Sequence, residues 1–299
     1  ERGEAVLRAK EGTVTAEMLA KHPEPAPQDA ELPSCEELMC EAAALGGDAN
    51  ASSLTDEQLR EMVDDAFSDI DAFKKYVGST EKLSMPACDQ LRFEHAQGLA
   101  KTNHVHVLRD VVALVAAGRV PEQARPYGYG ARLVAPEKPG GEAAGHRPIG
   151  AGTCWRRLAA GFLAHTQREA FENTLGPTQL GVGVKRGPEI FACVMRLALQ
   201  ANPKWVCAKI DFRNAFNECS RRAFLLFIAC HFPVLVLFML AAYGAPTYIT
   251  ALGPRGWVRF LSQRGCTQGC PAGSLCFAAA LQESLESTRA AFPRCLIVA

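Results

Sequence analysis

From Phe224 to Ala242 the chain reads FLLFIACHFPVLVLFMLAA, an unbroken apolar run except for His231. A run of this length either crosses a bilayer or is hidden inside a protein. His231 and Pro233 stand in its middle, and the residue before a proline avoids the helical region. Arg221-Arg222 precede the run and Tyr243-Gly244 follow it, which bounds two short helices. The expectation is two buried helices joined at His231-Phe232-Pro233 in a protein without a membrane partner. Hiding both takes a sizeable core, and 299 residues, 48% of them hydrophobic, supply one for a single large domain or two modest ones.

Charge divides the chain although the formal net charge is zero. Residues 1–100 carry 9 Lys and Arg against 21 Asp and Glu, net −12, and residues 101–299 carry 23 against 11, net +12. A basic region is what phosphate-backbone binding needs. Twelve cysteines raise the question of disulfides. Most lie inside apolar stretches (Cys193, Cys207, Cys230, Cys276, Cys295), where a free thiol behaves as a small hydrophobe. The N-terminus is charged from Glu1 onward and has no secretory pattern. These features predict an intracellular protein, nuclear or cytoplasmic and not secreted. The close pairs Cys35/Cys40 and Cys266/Cys270 have no second pair at zinc-site spacing.

Residues 1–34 read as a short helix near Thr15–Lys21 and a Pro-rich linker, and 35–77 as acidic amphipathic helices. In the second of these Thr55 is the N-cap, and Leu59, Met62, Val63 and Phe67 form the apolar stripe. Asn103–Ala117 predicts a helix ending at Gly118. Arg132–Pro136 and His146–Ala151 predict a hairpin turning at Pro139-Gly140-Gly141. Helices follow over Thr153–Phe171, with Arg156, Arg157 and Arg168 on polar faces, and over Glu189–Leu199, Arg221–Cys230 and Ser274–Glu286. Strands are expected at Trp205–Asp211 and Trp257–Arg264.

The chemistry centres on Lys209-Ile210-Asp211-Phe212-Arg213-Asn214-Ala215-Phe216, followed 52 residues later by Gln268-Gly269-Cys270-Pro271. Val206, Ala208 and Ile210 alternate with Trp205, Cys207 and Lys209, as in a strand with two distinct faces. A carboxylate at the mouth of such a strand can reach a hard divalent ion. Asp211 read alone is equally a turn residue, Phe216 a core aromatic and Gln268 a turn former. Lys138 and Arg147 lie on either side of the hairpin turn and offer a point charge and a bidentate fork to an anion, or else they are solvated surface charges.

Taken together, these segments resemble the reverse transcriptases of non-LTR retrotransposons. The resemblance covers roughly 130–299 and rests on three blocks. Leu133–Ile149 (LVAPEKPGGEAAGHRPI) resembles the finger hairpin, Lys209–Phe216 the first palm motif, and Gly265–Phe277 (GCTQGCPAGSLCF) the second. It implies an α+β polymerase right hand, with an acidic helical region over 1–80, fingers over 81–204 and a partial palm over 205–299. It implies RNA-templated DNA synthesis with two Mg²⁺ or Mn²⁺ ions. Asp211 would be a catalytic metal ligand, the Phe212 carbonyl a further ligand, and Lys138 and Arg147 the triphosphate donors. Phe216 would exclude a 2′-hydroxyl, and Gln268 and Gly269 would line the nucleotide pocket. Gln179–Gly183 would lie along the template, with Lys185-Arg186 beside it. The implied partners are an RNA template, a DNA primer or hybrid duplex, and deoxynucleoside triphosphates. In the family an apolar strand such as Leu296–Ala299 leads into a Tyr/Phe-x-Asp-Asp turn. The sequence stops before one, so an incomplete centre and no primer extension are expected. A non-catalytic nucleic-acid-binding relic is the alternative, as is a relative of intron maturases or RNA-templated RNA polymerases, although Phe216 disfavours an RNA product.

Overall fold

The computed structural model describes residues 13–46, 54–139, 145–253 and 256–299. Fourteen α-helices and four strands are described: α1 Thr13–Ala20, α2 Cys35–Ala44, α3 Asp56–Ala66, α4 Ile70–Ser79, α5 Phe93–Ala100, α6 Val105–Ala116, α7 Arg125–Gly128, β1 Ala131–Val134, β2 Ile149–Gly152, α8 Cys154–Thr166, α9 Arg168–Leu175, α10 Gly187–Ala201, α11 Ala215–Glu218, α12 Arg221–His231, α13 Val236–Tyr243, β3 Thr247–Gly253, β4 Gly256–Ser262 and α14 Gly273–Ala291. The class is α+β, and the sheet is mixed, in the order β2-β1-β3-β4. β1 pairs antiparallel with β2 and parallel with β3, while β3 and β4 form a hairpin.

The apolar run folds as two helices. α12 ends at His231, a short 3-10 turn occupies Pro233–Leu235, and α13 follows. Phe224, Leu225, Ile228, Phe232, Leu235 and Phe238 are all buried. Among the described residues no helix is long and apolar enough to cross a membrane.

The acidic region shares this core. Capping boxes start α2 at Ser34/Glu37 and α3 at Thr55/Gln58, each satisfying two otherwise orphaned backbone donors. Leu38, Leu59, Val63, Phe67, Phe73 and Val77 are buried in one cluster with Phe162, Phe224 and Phe238. The linker is anchored as well. Asp29 is buried, and its carboxylate accepts hydrogen bonds from Ser220 Oγ (2.7 Å), Arg222 N (3.0 Å) and Arg221 N (3.2 Å). It therefore places negative charge on the positive end of α12. Arg222 is paired with Glu41 of α2 at 2.6 Å.

Several expectations are corrected. Trp205–Asp211 joins no ladder; Val206 is 93% exposed and Ile210 79%. Alternation announces two faces, but a strand also needs a neighbour whose backbone is free to pair. The helix expected over Thr153–Phe171 is two, α8 and α9, meeting at Gln167. Arg156 and Arg157 are buried rather than on polar faces, because α8 is enclosed nearly all round. Cys193, Cys207 and Cys295 are exposed, and only Cys230 and Cys276 of the five cysteines placed in apolar stretches are buried. β3 was not expected at all. Gly140 and Gly141 of the expected hairpin turn lie outside the described residues.

Candidate functional site

Leu133–Ile149 and Lys209–Phe216 each meet the Gly265–Phe277 segment. The β1–β2 ladder runs from Ala131↔Gly152 to Val134↔Ile149. It continues outward as Arg147 N donates to Pro136 O (2.9 Å) and Lys138 N to Gly145 O (2.8 Å). Lys138 and Arg147 thus stand exposed on facing strands of one hairpin. At the inner end, Gly150 N donates to Gln268 O at 2.7 Å. Gly269 has φ +109, and a Cβ there would lie 2.8 Å from Gly150 O. Only glycine permits both that backbone angle and that approach.

The Lys209–Phe216 segment is fastened to the Gly265–Phe277 segment through backbone. Cys266 N donates to Phe216 O at 2.7 Å. The half-buried Phe216 ring stacks on Phe277, centroids 5.8 Å apart, and the Phe212 ring meets the same Phe277 at 5.9 Å. Asn214 takes the left-handed conformation that begins α11, which asparagine tolerates better than most residues. Asp211 lies just before this turn and is exposed; among the described residues no hydrogen bond or ion pair holds its carboxylate.

Beneath the Gln268 turn is a cationic support that periodicity did not reveal. Arg156 and Arg221 are fully buried against Tyr243, their guanidinium carbons 5.2 and 5.6 Å from its ring centroid. Arg156 donates to Tyr129 O, and to Thr267 Oγ1 at 3.4 Å. Arg221 donates to Gly265 O (2.9 Å), Tyr243 O (2.9 Å) and Ser262 O (3.1 Å). Burial carries the Arg221 guanidinium down to about 10, so it is still charged at neutral pH, and these carbonyls take its charge. The same burial pushes the Tyr243 hydroxyl up.

α1 ties the hairpin to the Asp211 turn. The Glu17 carboxylate accepts from His146 N (3.0 Å) and Lys21 Nζ, and pairs with His146 Nδ1 (2.8 Å). Lys21 O accepts from Asn217 Nδ2 (2.7 Å) and Asn214 Nδ2 (3.0 Å). Burial alone would raise the Glu17 carboxyl. The hydrogen bonds from His146 and Lys21 outweigh it and bring the carboxyl to about 2.

The expected template residue Gln179 is buried, and its amide donates to Ala278 O (2.8 Å) and Gln282 Oε1 (2.6 Å). It anchors α14 and is closed to a template. A metal pair does not fit either. A pair of hard divalent ions needs several oxygen donors, and Asp211 with the Phe212 carbonyl is too few. Among the described residues no group of three or more His, Cys, Asp or Glu stands together as a metal site.

No family model matches the chain. The chain is similar to the retrotransposable element SLACS 132 kDa protein of Trypanosoma brucei gambiense, 28% identical over 173 residues. The match takes in 52% of this chain and spans only 13% of that protein.

Proposed function

We propose that this chain is the fingers and partial palm of a retroelement reverse transcriptase, a right-hand polymerase fold that holds an RNA template, a DNA primer and a deoxynucleoside triphosphate. The observation that carries the reading is the convergence of β2, the Gln268-Gly269 turn and Phe216, whose backbones hydrogen-bond across long sequence separations. Similarity to a retrotransposon protein supports it. In this reading Lys138 and Arg147 hold the triphosphate, Gln268 and Gly269 floor the nucleotide pocket, and Phe216 presents its ring to the sugar. Asp211 supplies one carboxylate toward Mg²⁺ or Mn²⁺.

The test is binding of a fluorescent dATP analogue in the presence of a primed RNA template. The expected result is that Lys138→Ala and Arg147→Ala each weaken binding about tenfold, the scale of one lost charge-assisted contact. Phe216→Val should admit the ribonucleotide. Equal binding by the parent chain and both charge variants refutes the proposal. Primer extension in Mg²⁺ should be absent, and robust incorporation would overturn the conclusion that the donors are too few. The lone carboxylate favours a second reading, a nucleic-acid-binding relic. It keeps steep salt dependence of duplex binding but shows no nucleotide selectivity.

A further inference from the structure

The sheet has a second face, turned away from Met18 and the Gln268 turn. Along β4 the residues Trp257, Arg259 and Leu261 are exposed, whereas Phe260 and Ser262 are buried. On β1 and β3 the same alternation turns Arg132, Tyr248 and Thr250 outward, against Ala131, Leu133, Ile249 and Ala251 in the small core with Met18. The register sets Arg132 beside Thr250 and Thr250 beside Arg259 in one row across three strands.

Cations and rings interleave on this face. The Arg132 guanidinium lies 5.4 Å from the Trp257 ring centroid. The Arg259 guanidinium lies 4.8 Å from Tyr248 and 5.4 Å from Tyr127 of α7, and the two tyrosine rings are 4.9 Å apart. Trp257 is 55% exposed and Tyr127 54%. Among the described residues neither arginine has a salt-bridge partner, and no outward position of β1, β3 or β4 carries a carboxylate. Stacking on the rings holds each guanidinium plane and leaves most of its N–H groups free for an anion. An apolar protein partner would be served by rings alone. Paired arginines without acids between open aromatic faces suit a ligand of planar groups on a polyanionic chain.

We propose that this outer face is a binding platform for single-stranded nucleic acid, in which bases stack on Trp257 and Tyr127 and phosphates meet Arg132 and Arg259. Binding there requires no polymerase activity.

The test uses the full 299-residue chain and fluorescein-labelled oligo(U) and oligo(dT) 20-mers, read by anisotropy over a salt series. The rU and dT arms decide between RNA and DNA as the source of the strand. Trp257→Ala is expected to weaken binding about tenfold, and Trp257→Phe to restore most of it. Arg132→Gln with Arg259→Gln should reduce the slope of log K against log salt by about 1.4, two phosphates at the single-strand coefficient. Circular dichroism of each variant confirms that it is folded. Unchanged affinity and slope in these variants overturn the proposal, as does a parent chain that binds neither oligomer. A parent dimer that Trp257→Ala converts to a monomer in light scattering, with oligomer binding unaltered, assigns the face to a second copy of the chain and also overturns it.

Discussion

Gly265 is where the Phe216 and Gln268 segments are pressed together, and Gly265→Ala separates them. Its φ is +63, and a Cβ there would fall 2.2 Å from Phe216 O and 2.4 Å from the Asn217 carbonyl carbon. Both are backbone atoms, so neither can swing aside as a side-chain tip can. Three costs add. The left-handed conformation costs alanine about 1 kcal/mol. Forcing the segments apart costs about 1–3 kcal/mol. The Cys266 N to Phe216 O hydrogen bond, 2.7 Å here, contributes about 1 kcal/mol that is lost when the segments part. The sum is about 3–5 kcal/mol. Gly46 separates these causes, because its φ is +75 and, among the described residues, nothing lies within 4 Å of its Cβ position. Gly46→Ala therefore bears the conformational cost of about 1 kcal/mol by itself. Urea unfolding of the parent and both variants reads the difference, which should be about 2 kcal/mol or more. Equal destabilisation within about 0.5 kcal/mol would show that the Gly265 turn does not rest on the Phe216 backbone, and the convergence argument would fail with it.

Asp29→Ala removes the carboxylate that three donors at the start of α12 share, and a cost of about 2 kcal/mol is expected in urea unfolding; a neutral result would return this segment to a passive linker. Glu17 contributes to pH dependence with a definite sign. Its folded carboxyl at about 2 lies below its ordinary 4.5, so its stabilisation is complete above pH 4.5 and is lost as pH falls from there through 2. The side chain is 30% exposed, so screening limits the contribution to about 1 kcal/mol. Glu17→Gln should lower stability at pH 7, and the gap from the parent should close toward pH 2.5. A gap that stays constant across the window would show that the pair with His146 and Lys21 carries no net stabilisation.

Much of the fold was legible because its signals are local. His231 and Pro233 in the middle of a nineteen-residue run favour two short helices, and α12 and α13 are those helices. Thr55 followed by Gln58 sets the start of α3 through bonds made within one turn. Gly118, at φ +69, stands just past the end of α6, where a left-handed residue satisfies the last carbonyls. The β1–β2 hairpin was found from its turn and its two short apolar arms. None of these signals depends on what lies across the core.

The elements that depart from expectation depend on distant partners across the core. Trp205–Ile210 has the alternation of a strand, but alternation describes a strand's two faces and leaves its neighbours unspecified. The sheet instead recruits Thr247–Gly253 beside β1 in parallel, a pairing set by geometry more than a hundred positions away in the chain. Arg156, Arg157 and Arg221 carry the same letter as solvated arginines. What buries Arg221 is a set of carbonyls from residues 243, 262 and 265, which converge only after α12, α13, β4 and the Gly265 turn have docked. The candidate site divides along the same line. Residue types in order identify Asp211, Phe216 and Gln268-Gly269, since a motif is one-dimensional. Their support by Arg156, Tyr243 and Thr267, and the strap formed by Glu17 and Lys21, are three-dimensional. A buried charge is costly without partners, so an arginine inside an otherwise apolar helix such as α8 implies unseen acceptors. That cost is the signal in the sequence from which the support under the Gln268 turn was open to inference, although the identity of its partners was not.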